Sequence, residues 1–231
     1  MKLFPWSDNL VSLYLSVDYS PDFISNIELQ GIHLPSNFCK AALKRRCEFL
    51  AGRACAHQAL TYLGHETAGS IGIGRGNEPV WPENIVGSIS HCVGHAVASV
   101  AQCSEDVVGV GVDIEKVMSR QWANQLSSQI VSLNERHHAA HFDDICQFLT
   151  LIFSAKEAIY KAIFPTVQQI LDFDSVVLEQ IDCDRQELTF ATSLILDEYL
   201  NSEVNIKVRY SMMDDTHYIT WCVIGEHHLK H

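Results

Sequence analysis

The segment from Val108 to Glu115 alternates strictly between two kinds of residue. The even-numbered positions are apolar (Val108, Val110, Val112 and Ile114), and the odd-numbered positions hold two glycines followed by two carboxylates. Because successive side chains of a β-strand point to opposite faces, one face is wholly apolar and should lie on the core. Asp113 and Glu115 then share the other face, with their Cα atoms about 6–7 Å apart. The chain is therefore expected to contain a sheet that buries this strand.

The composition supports a folded, water-soluble protein. With 47% apolar residues over 231 positions, the chain can bury a full core, which excludes disordered, collagen-like and coiled-coil classes. No stretch approaches the roughly 18 consecutive apolar residues that would span a bilayer. The eight cysteines form no CxxC pair, and the N-terminal segment has Pro5 and Asp8 where a secretory leader would be apolar. We therefore expect reduced thiols in a cytoplasmic protein.

Hydrophobic periodicity divides the chain into helical and β-rich regions. The pattern predicts a helix from about Ser36 to Leu63, ended by Gly64, and helical structure from about 121 to 164. Within the second region, Asp143 or Asp144 is expected to begin a helix that Pro165 ends. Strands are predicted over Ile85–Ser90, His95–Ala101, Val107–Glu115 and several runs between 172 and 225. A candidate boundary near 105–110 divides the chain into domains 1–108 and 109–231.

The charge balance limits what the chain can bind. Sixteen basic residues against 28 acidic ones give a net charge of −12, so a chain-wide basic field for nucleic acid is absent. Five of the basic residues nevertheless lie between positions 40 and 53, opposed there only by Glu48; they are Lys40, Lys44, Arg45, Arg46 and Arg53. This cluster is either a solvated helix face or the place where an anion binds.

Three short motifs could carry chemistry. Asp113 and Glu115, among glycines that allow close approach, suit Mg²⁺, although such acids can also simply face solvent. Glu157 and Lys161 are one helical turn apart, so they form either an ordinary ion pair or a joint site for a metal and a phosphate. The segment 87–91 ends a strand with a serine and a histidine. Along the chain the motifs follow one another at 87–91, 113–115 and 157–161, and no single structural explanation accounts for all three in that order.

This ordered set resembles the 4′-phosphopantetheinyl transferases, and among them the enterobactin synthase component D group of the surfactin-type class. The resemblance covers positions 45–162 and rests on five segments. They are RRCEFLAGR at 45–53, PVWP at 79–82, GSISH at 87–91, GVGVDIEK at 109–116 and FSAKEAIYKA at 153–162.

The resemblance implies a reaction and a role for each matching residue. The phosphopantetheine arm of coenzyme A would move to a serine of an apo-carrier domain, acyl, peptidyl or aryl, with release of adenosine 3′,5′-bisphosphate. Such carriers serve siderophore, nonribosomal peptide, polyketide or fatty-acid synthesis. Asp113, Glu115 and Glu157 would hold Mg²⁺, and Glu157 would be the base, directly or through a metal-bound water. Lys161 and Lys156 would neutralise the pyrophosphate. Four residues match positions around the coenzyme's phosphates: Arg45, Arg53, Ser90 and His91.

The resemblance also implies an architecture. The expected fold is α+β, with two similar α/β subdomains related by a pseudo-twofold axis, each a small sheet packed on a long helix, and with coenzyme A and Mg²⁺ at their junction. The N-terminal subdomain, 1–108, would bind the coenzyme. The C-terminal one, 109–231, would hold the metal and dock the carrier through the segment from Lys116 to His141, which contains Arg120, Trp122 and Arg136. A monomer of this size would suffice.

Two other functions compete with this interpretation. A non-catalytic module that binds coenzyme A or carriers would be favoured if any of Asp113, Glu115, Glu157 or Lys161 were replaced, and all four are present. A Mg²⁺-dependent coenzyme A diphosphatase would be favoured by a glycine-rich acidic box, which the sequence lacks. The transferase is therefore the leading prediction.

Overall fold

The computed structural model describes residues 2–7, 10–38, 40–65, 71–75 and 78–230, without the side chains of 2–7 and of Asn37. It divides into two compact units, Met1–Cys103 and Ser104–His231. Within the described ranges, no helix combines the length and apolar character needed to cross a membrane.

The first unit places a long helix on an antiparallel sheet. The sheet has the order β1-β2-β6-β5, and the helix α2 packs on β2 and β6. A separate two-stranded ribbon pairs β3 with β4. In chain order the elements are β1 (Lys2–Ser7), β2 (Leu10–Ser16), α1 (Pro21–Glu28), α2 (Leu43–Tyr62), β3 (Gly72–Ile73), β4 (Pro79–Val80), β5 (Ile85–Cys92) and β6 (His95–Gln102).

The second unit repeats this plan with a larger sheet. Its strand order is β7-β11-β10-β9-β8, all antiparallel, and the helix α4 packs on β7 and β11. The elements are β7 (Gly109–Lys116), α3 (Arg120–Ile130), α4 (Ile145–Val167), β8 (Val176–Asp182), β9 (Glu187–Thr192), β10 (Ile206–Asp214) and β11 (His217–Ile224).

The two units share a chain path although the sequence shows no internal repeat. In each, a strand (β2 or β7) leads into a short helix and then a long one, and the last strand (β6 or β11) returns to pair with it. The long helix lies on that strand pair in both units. The predicted α+β architecture, a small sheet packed on a long helix in each half, is confirmed.

The helix predicted from Ser36 begins later. A separate 3₁₀ turn occupies Ser36–Phe38, and α2 starts at Leu43. The apolar spacing continued through the turn because the Phe38 ring packs on Phe49, with the ring centroids 4.3 Å apart. The apolar pattern allows either Phe38 or Cys39 as its first core position, and Cys39 lies outside the described residues. The predicted end is correct, since Gly64 adopts a φ of +81° just after the helix.

The second long helix begins as predicted but ends beyond Pro165. The Asp144 side chain accepts a hydrogen bond from the Cys146 N–H at 3.0 Å, which caps the helix. Pro165 lies in the last turn, where a missing N–H removes only one late hydrogen bond. The helix ends where Gln168 turns left-handed, with a φ of +50°.

The strand β7 is buried on both faces, and its glycine face, not its valine face, carries the helix. A Cβ added to Gly111 would lie 1.8 Å from the Ala158 carbonyl oxygen, and one on Gly109 would lie 2.3 Å from that of Ala162. The backbone of α4 therefore rests directly on β7. Residues 110, 112 and 114 on the opposite face are at most 1% exposed. This close approach aligns the helix residues just before Ala158 and Ala162 with the acidic end of β7.

Candidate functional site

The acidic end of β7 forms a buried polar centre with α4. Asp113 is 3% exposed and accepts hydrogen bonds from Ser154 Oγ at 2.8 Å and Lys161 Nζ at 2.6 Å. Lys161 Nζ also donates to the Val112 carbonyl at 3.3 Å. Asp113 and Lys161, both predicted site residues, therefore form an ion pair within the second unit.

Two further carboxylates adjoin this pair. Burial, together with the negative charges of Asp113 and Glu157, raises the pKa of Glu115 to about 8, against the opposing effect of Lys161. Burial also raises the pKa of Glu157, with Asp113 adding to the shift and Lys161 opposing it. Three carboxylates thus share one ammonium group. Such an excess of buried negative charge favours a cation, and hard oxygen donors suit Mg²⁺.

Sequence reasoning missed two hydroxyls that hold this centre. Ser154 Oγ lies 2.9 Å from Thr220 Oγ1, and Thr220 Oγ1 donates to the Ser154 carbonyl at 2.9 Å. The pair thus ties α4 to β11 and fixes one oxygen of Asp113. A signal existed for Ser154, which lies three residues before Glu157 and so on the same side of the helix. Nothing local indicated Thr220.

Lys156 is buried in the interior of the second unit. Its side chain is 2% exposed, forms an ion pair with Glu135 Oε1 at 2.8 Å and donates to the Phe173 carbonyl at 3.0 Å. Burial lowers the pKa of this ammonium. The Nζ of Lys156 is therefore engaged in the interior, whereas Lys161 is the lysine that contacts Asp113.

The partner of Lys156 is a buried connector. Glu135 accepts backbone hydrogen bonds from Ser132 at 2.7 Å and Leu178 at 2.9 Å besides the ion pair. Burial alone would raise the pKa of Glu135, but the hydrogen bonds from Leu178 and Lys156 outweigh it and the pKa lies below its ordinary value. One carboxylate thus joins the segment before α4, the helix itself and β8.

Glu135→Gln is expected to destabilise the second unit by about 2–3 kcal/mol. The amide nitrogen of glutamine would face a hydrogen-bond donor from which a carboxylate oxygen now accepts. The free energy of unfolding in urea measures this change. Glu187→Gln is the matched control. Its partners Lys207, at 3.0 Å, and Arg209, at 3.3 Å, are 64% and 54% exposed, so the loss should stay below about 1 kcal/mol. Equal losses in the two variants would contradict the assigned role.

A cavity of about 310 Å³ opens beside Glu157. Most of its lining is apolar, and comes from the second half of α4 and the segment that follows; its apolar residues are Ile159, Ile163, Ile170, Leu171, Phe173 and Val176. An uncharged chain could therefore lie against the candidate metal centre.

The first unit holds a second pocket, of about 160 Å³, in which the predicted phosphate residues Arg45, Arg53 and His91 all take part. The Arg53 guanidinium lies over the Phe49 ring, 5.0 Å from its centroid, and the residue is 5% exposed. Its Nη1 has no hydrogen-bond partner among the described residues. Burial lowers the pKa of Arg53 to about 10, so the group remains cationic at neutral pH. A buried cationic donor of this kind fits an anion.

Ser90 lies elsewhere on the same strand. Ile89 and His91 line the pocket, and since side chains alternate along β5, Ser90 points to the opposite face, where it is 7% exposed. The structure therefore brings Arg45, Arg53 and His91 together and separates Ser90 from them. Sequence reasoning missed the aromatic residues Phe38 and Phe49, which line the pocket beneath the arginines.

Comparisons with known proteins show which family the chain matches. The 4′-phosphopantetheinyl transferase N-terminal domain matches residues 34–101, and the 4′-phosphopantetheinyl transferase superfamily matches residues 109–222. Enterobactin synthase component D of Salmonella typhi is 39% identical over 167 residues, which cover 72% of this chain and 68% of that protein. The corresponding protein of Salmonella typhimurium is 41% identical over 147 residues, covering 63% and 60%.

More distant proteins also match. The 4′-phosphopantetheinyl transferase Npt of Nocardia iowensis is 34% identical over 167 residues, covering 70% of this chain and 73% of that protein. The solved holo-[acyl-carrier-protein] synthase of Thermotoga maritima aligns with a TM-score of 0.40 and 17% identity over 52% of this chain and 64% of that one. On the family matches and the curated relatives, the chain belongs to the 4′-phosphopantetheinyl transferase superfamily, as its motifs predicted.

Proposed function

We propose that this chain transfers the 4′-phosphopantetheine arm of coenzyme A to a serine of an apo-carrier protein, with release of adenosine 3′,5′-bisphosphate and with Mg²⁺ as cofactor. The observation that carries the proposal is the set of three carboxylates around one lysine in the second unit. That set suits a metal-assisted displacement at a pyrophosphate, the chemistry of the family to which the chain belongs.

The metal would be held by Asp113, Glu115 and Glu157. The raised pKa of Glu115 and Glu157 supports this fit, because both carboxylates lack enough positive charge nearby. Bound Mg²⁺ would neutralise charge on the pyrophosphate and on the leaving bisphosphate.

The side chains perform the remaining steps. Glu157 accepts the proton of the carrier serine. The serine oxygen attacks the phosphorus next to the pantetheine, and the bond to the bridging oxygen breaks. Lys161 holds Asp113 in place, and its positive charge stabilises the negative charge that develops on the phosphate.

The phosphates of the coenzyme are proposed to bind in the first unit, to Arg45, Arg53 and His91. This assignment is supported by the Nη1 of Arg53, which has no hydrogen-bond partner among the described residues. Ser90 is proposed to support the same strand from its other face. The apolar cavity beside Glu157 suits the uncharged pantetheine arm.

The carrier is proposed to dock on α3 and the segment that follows it. Trp122 is 58% exposed there, and Arg120 has a side chain that is 65% exposed, although it lies 3.5 Å from Asp144. An apolar ring with nearby Arg120 and Arg136 suits the acidic surface of a carrier domain. By analogy with the component D relatives, the carrier is proposed to serve siderophore synthesis, with the protein a cytoplasmic monomer.

The decisive experiment incubates the full chain with coenzyme A, Mg²⁺ and a panel of apo-carrier domains, followed by intact-protein mass spectrometry. A mass gain of one phosphopantetheine on a carrier supports the proposal. Bisphosphate release without carrier modification would identify a diphosphatase instead. Coenzyme binding with neither product would identify a non-catalytic module.

Magnesium binding should strengthen as the pH rises from 6 to 8. The pKa of Glu115 is raised from 4.5 to about 8. Between these pH values the folded protein therefore keeps a proton that the unfolded chain has lost. This group therefore lowers the stability of the metal-free protein as pH rises through that window. Magnesium must displace the same proton, so the Mg²⁺-induced rise in Tm should be larger at pH 8 than at pH 6. In Glu115→Gln the difference between the two pH values should shrink; an unchanged difference would contradict the assignment.

A further inference from the structure

Glu48 places a negative charge in the pocket where an anion is proposed to bind. The residue is 6% exposed, and its Oε1 accepts a hydrogen bond from the Tyr19 hydroxyl at 3.1 Å. The Tyr19 oxygen accepts in turn from the Gly94 N–H at 2.7 Å, in the β5–β6 turn where Gly94 has a φ of +84°. A carboxylate anchored by α2, the segment before α1 and a tight turn keeps its position when a ligand enters, so its charge needs a partner.

His91 is that partner. One ring nitrogen, Nε2, contacts Arg45 Nη1, and the other, Nδ1, lies 3.8 Å from Glu48 Oε2. A guanidinium only donates hydrogen bonds, so Nε2 accepts and the proton of the neutral ring is on Nδ1, facing the carboxylate. The imidazole is thus oriented by an acid on one side and a cationic donor on the other.

We propose that Glu48 is a positioning residue that keeps His91 ready to take up a proton at Nε2 when a phosphate of coenzyme A binds. Arg45 then turns its donors from His91 to the phosphate. Nε2 takes a proton from the solvent and donates it to a phosphate oxygen, while Nδ1–H stays directed at Glu48. The resulting imidazolium is stabilised by an anion on each side. This inference rests on the proposed function.

The other charged or titratable groups around the pocket would not take up a proton when the phosphate binds. Lys44 Nζ lies 3.8 Å from Glu48 Oε1, and Arg53 is already cationic. Burial raises the pKa of Tyr19, which keeps its hydroxyl neutral. A phosphate monoester itself has a pKa near 6 and would lose a proton on binding to cations. Proton uptake, rather than release, is therefore the signature of the histidine.

The test is isothermal titration calorimetry of coenzyme A into the full chain at pH 7.5, in several buffers of different ionisation enthalpy. The parent should take up between about half a proton and one proton per coenzyme, since an imidazole is mostly neutral in water at this pH. Glu48→Gln should take up less than half as much and bind about 3- to 10-fold more weakly. If Glu48 acted only through its charge, Glu48→Gln would instead bind coenzyme A more tightly, because the substitution removes a negative charge from an anion site.

Lys44→Gln is the matched control, since it removes the other charged neighbour of the same carboxylate; its proton uptake should equal that of the parent. Tyr19→Phe, which removes the hydrogen bond to Glu48 together with the one from the Gly94 N–H, should reduce the uptake partly and carries the test if Glu48→Gln does not fold. A Glu48→Gln protein that takes up as many protons as the parent, or binds more tightly, would overturn the inference. Binding by the parent without proton uptake would overturn it and leave the proposed function intact, whereas absence of binding would overturn both.

Discussion

Glu157→Gln is expected to lower the rate of phosphopantetheine transfer at least about 1,000-fold, with the fold preserved. Glutamine has the same shape but cannot accept the serine proton, and its amide is a weaker ligand for a divalent cation. The substitution should not destabilise the protein, because the raised pKa of Glu157 shows that its negative charge is unfavourable where it lies. Intact-mass kinetics measure the rate, and thermal unfolding in the absence of metal measures the stability.

A surface carboxylate supplies the control for this variant. Glu179 is exposed on β8 and accepts a hydrogen bond from Asn205 Nδ2 at 3.1 Å. Glu179→Gln makes the same chemical change away from the candidate centre and should transfer at the parental rate. If Glu157→Gln keeps more than a tenth of the parental rate, Glu157 is neither the base nor an essential metal ligand.

Gly111→Val is expected to destabilise the second unit by at least about 4 kcal/mol. The first added carbon would lie 1.8 Å from the Ala158 carbonyl oxygen and 2.9 Å from the Ala162 N–H nitrogen. Both atoms belong to the backbone of α4, so neither can rotate away, and the helix must move off the strand. Because α4 carries Glu157 and Lys161, transfer should be lost in parallel. Urea unfolding followed by circular dichroism measures the stability.

The matched control separates the clash from the general effect of replacing a glycine. Gly31 has a φ of +83°, and a Cβ there would meet no atom within 4 Å. Gly31→Ala should therefore cost only about 1 kcal/mol, the penalty of a left-handed backbone conformation. Similar losses in the two variants would show that α4 can shift on β7 without harm.

The residues of the candidate metal centre could be brought together from the sequence because their relation is local. Asp113 and Glu115 are two apart on a strand, and Glu157 and Lys161 are four apart on a helix, so each pair shares a face in almost any fold that contains the two elements. The order of the motifs then indicated the family. The glycines that precede Asp113 also indicated a close approach of another group.

Other assignments could not be made locally. Lys156 and Lys161 lie on one helix and carry the same charge, yet one is buried against Glu135 and the other contacts Asp113. Which lysine meets which acid depends on the rotation of α4 over the sheet. The start of α2 was also misplaced, since Phe38 supplies an apolar contact from a turn at a spacing that a helix would also give.

The sequence by itself determined the chemical groups available: three carboxylates and a lysine for a metal and phosphate, and two arginines and a histidine for an anion. It did so because residue type and spacing along one element are properties of the chain alone. Only the tertiary structure decided that α4 rests on the glycine face of β7, that Lys156 is engaged by Glu135, and that Glu48 faces His91. Those outcomes depend on burial and on contacts between distant segments, which set how much each charge costs and which partner it meets.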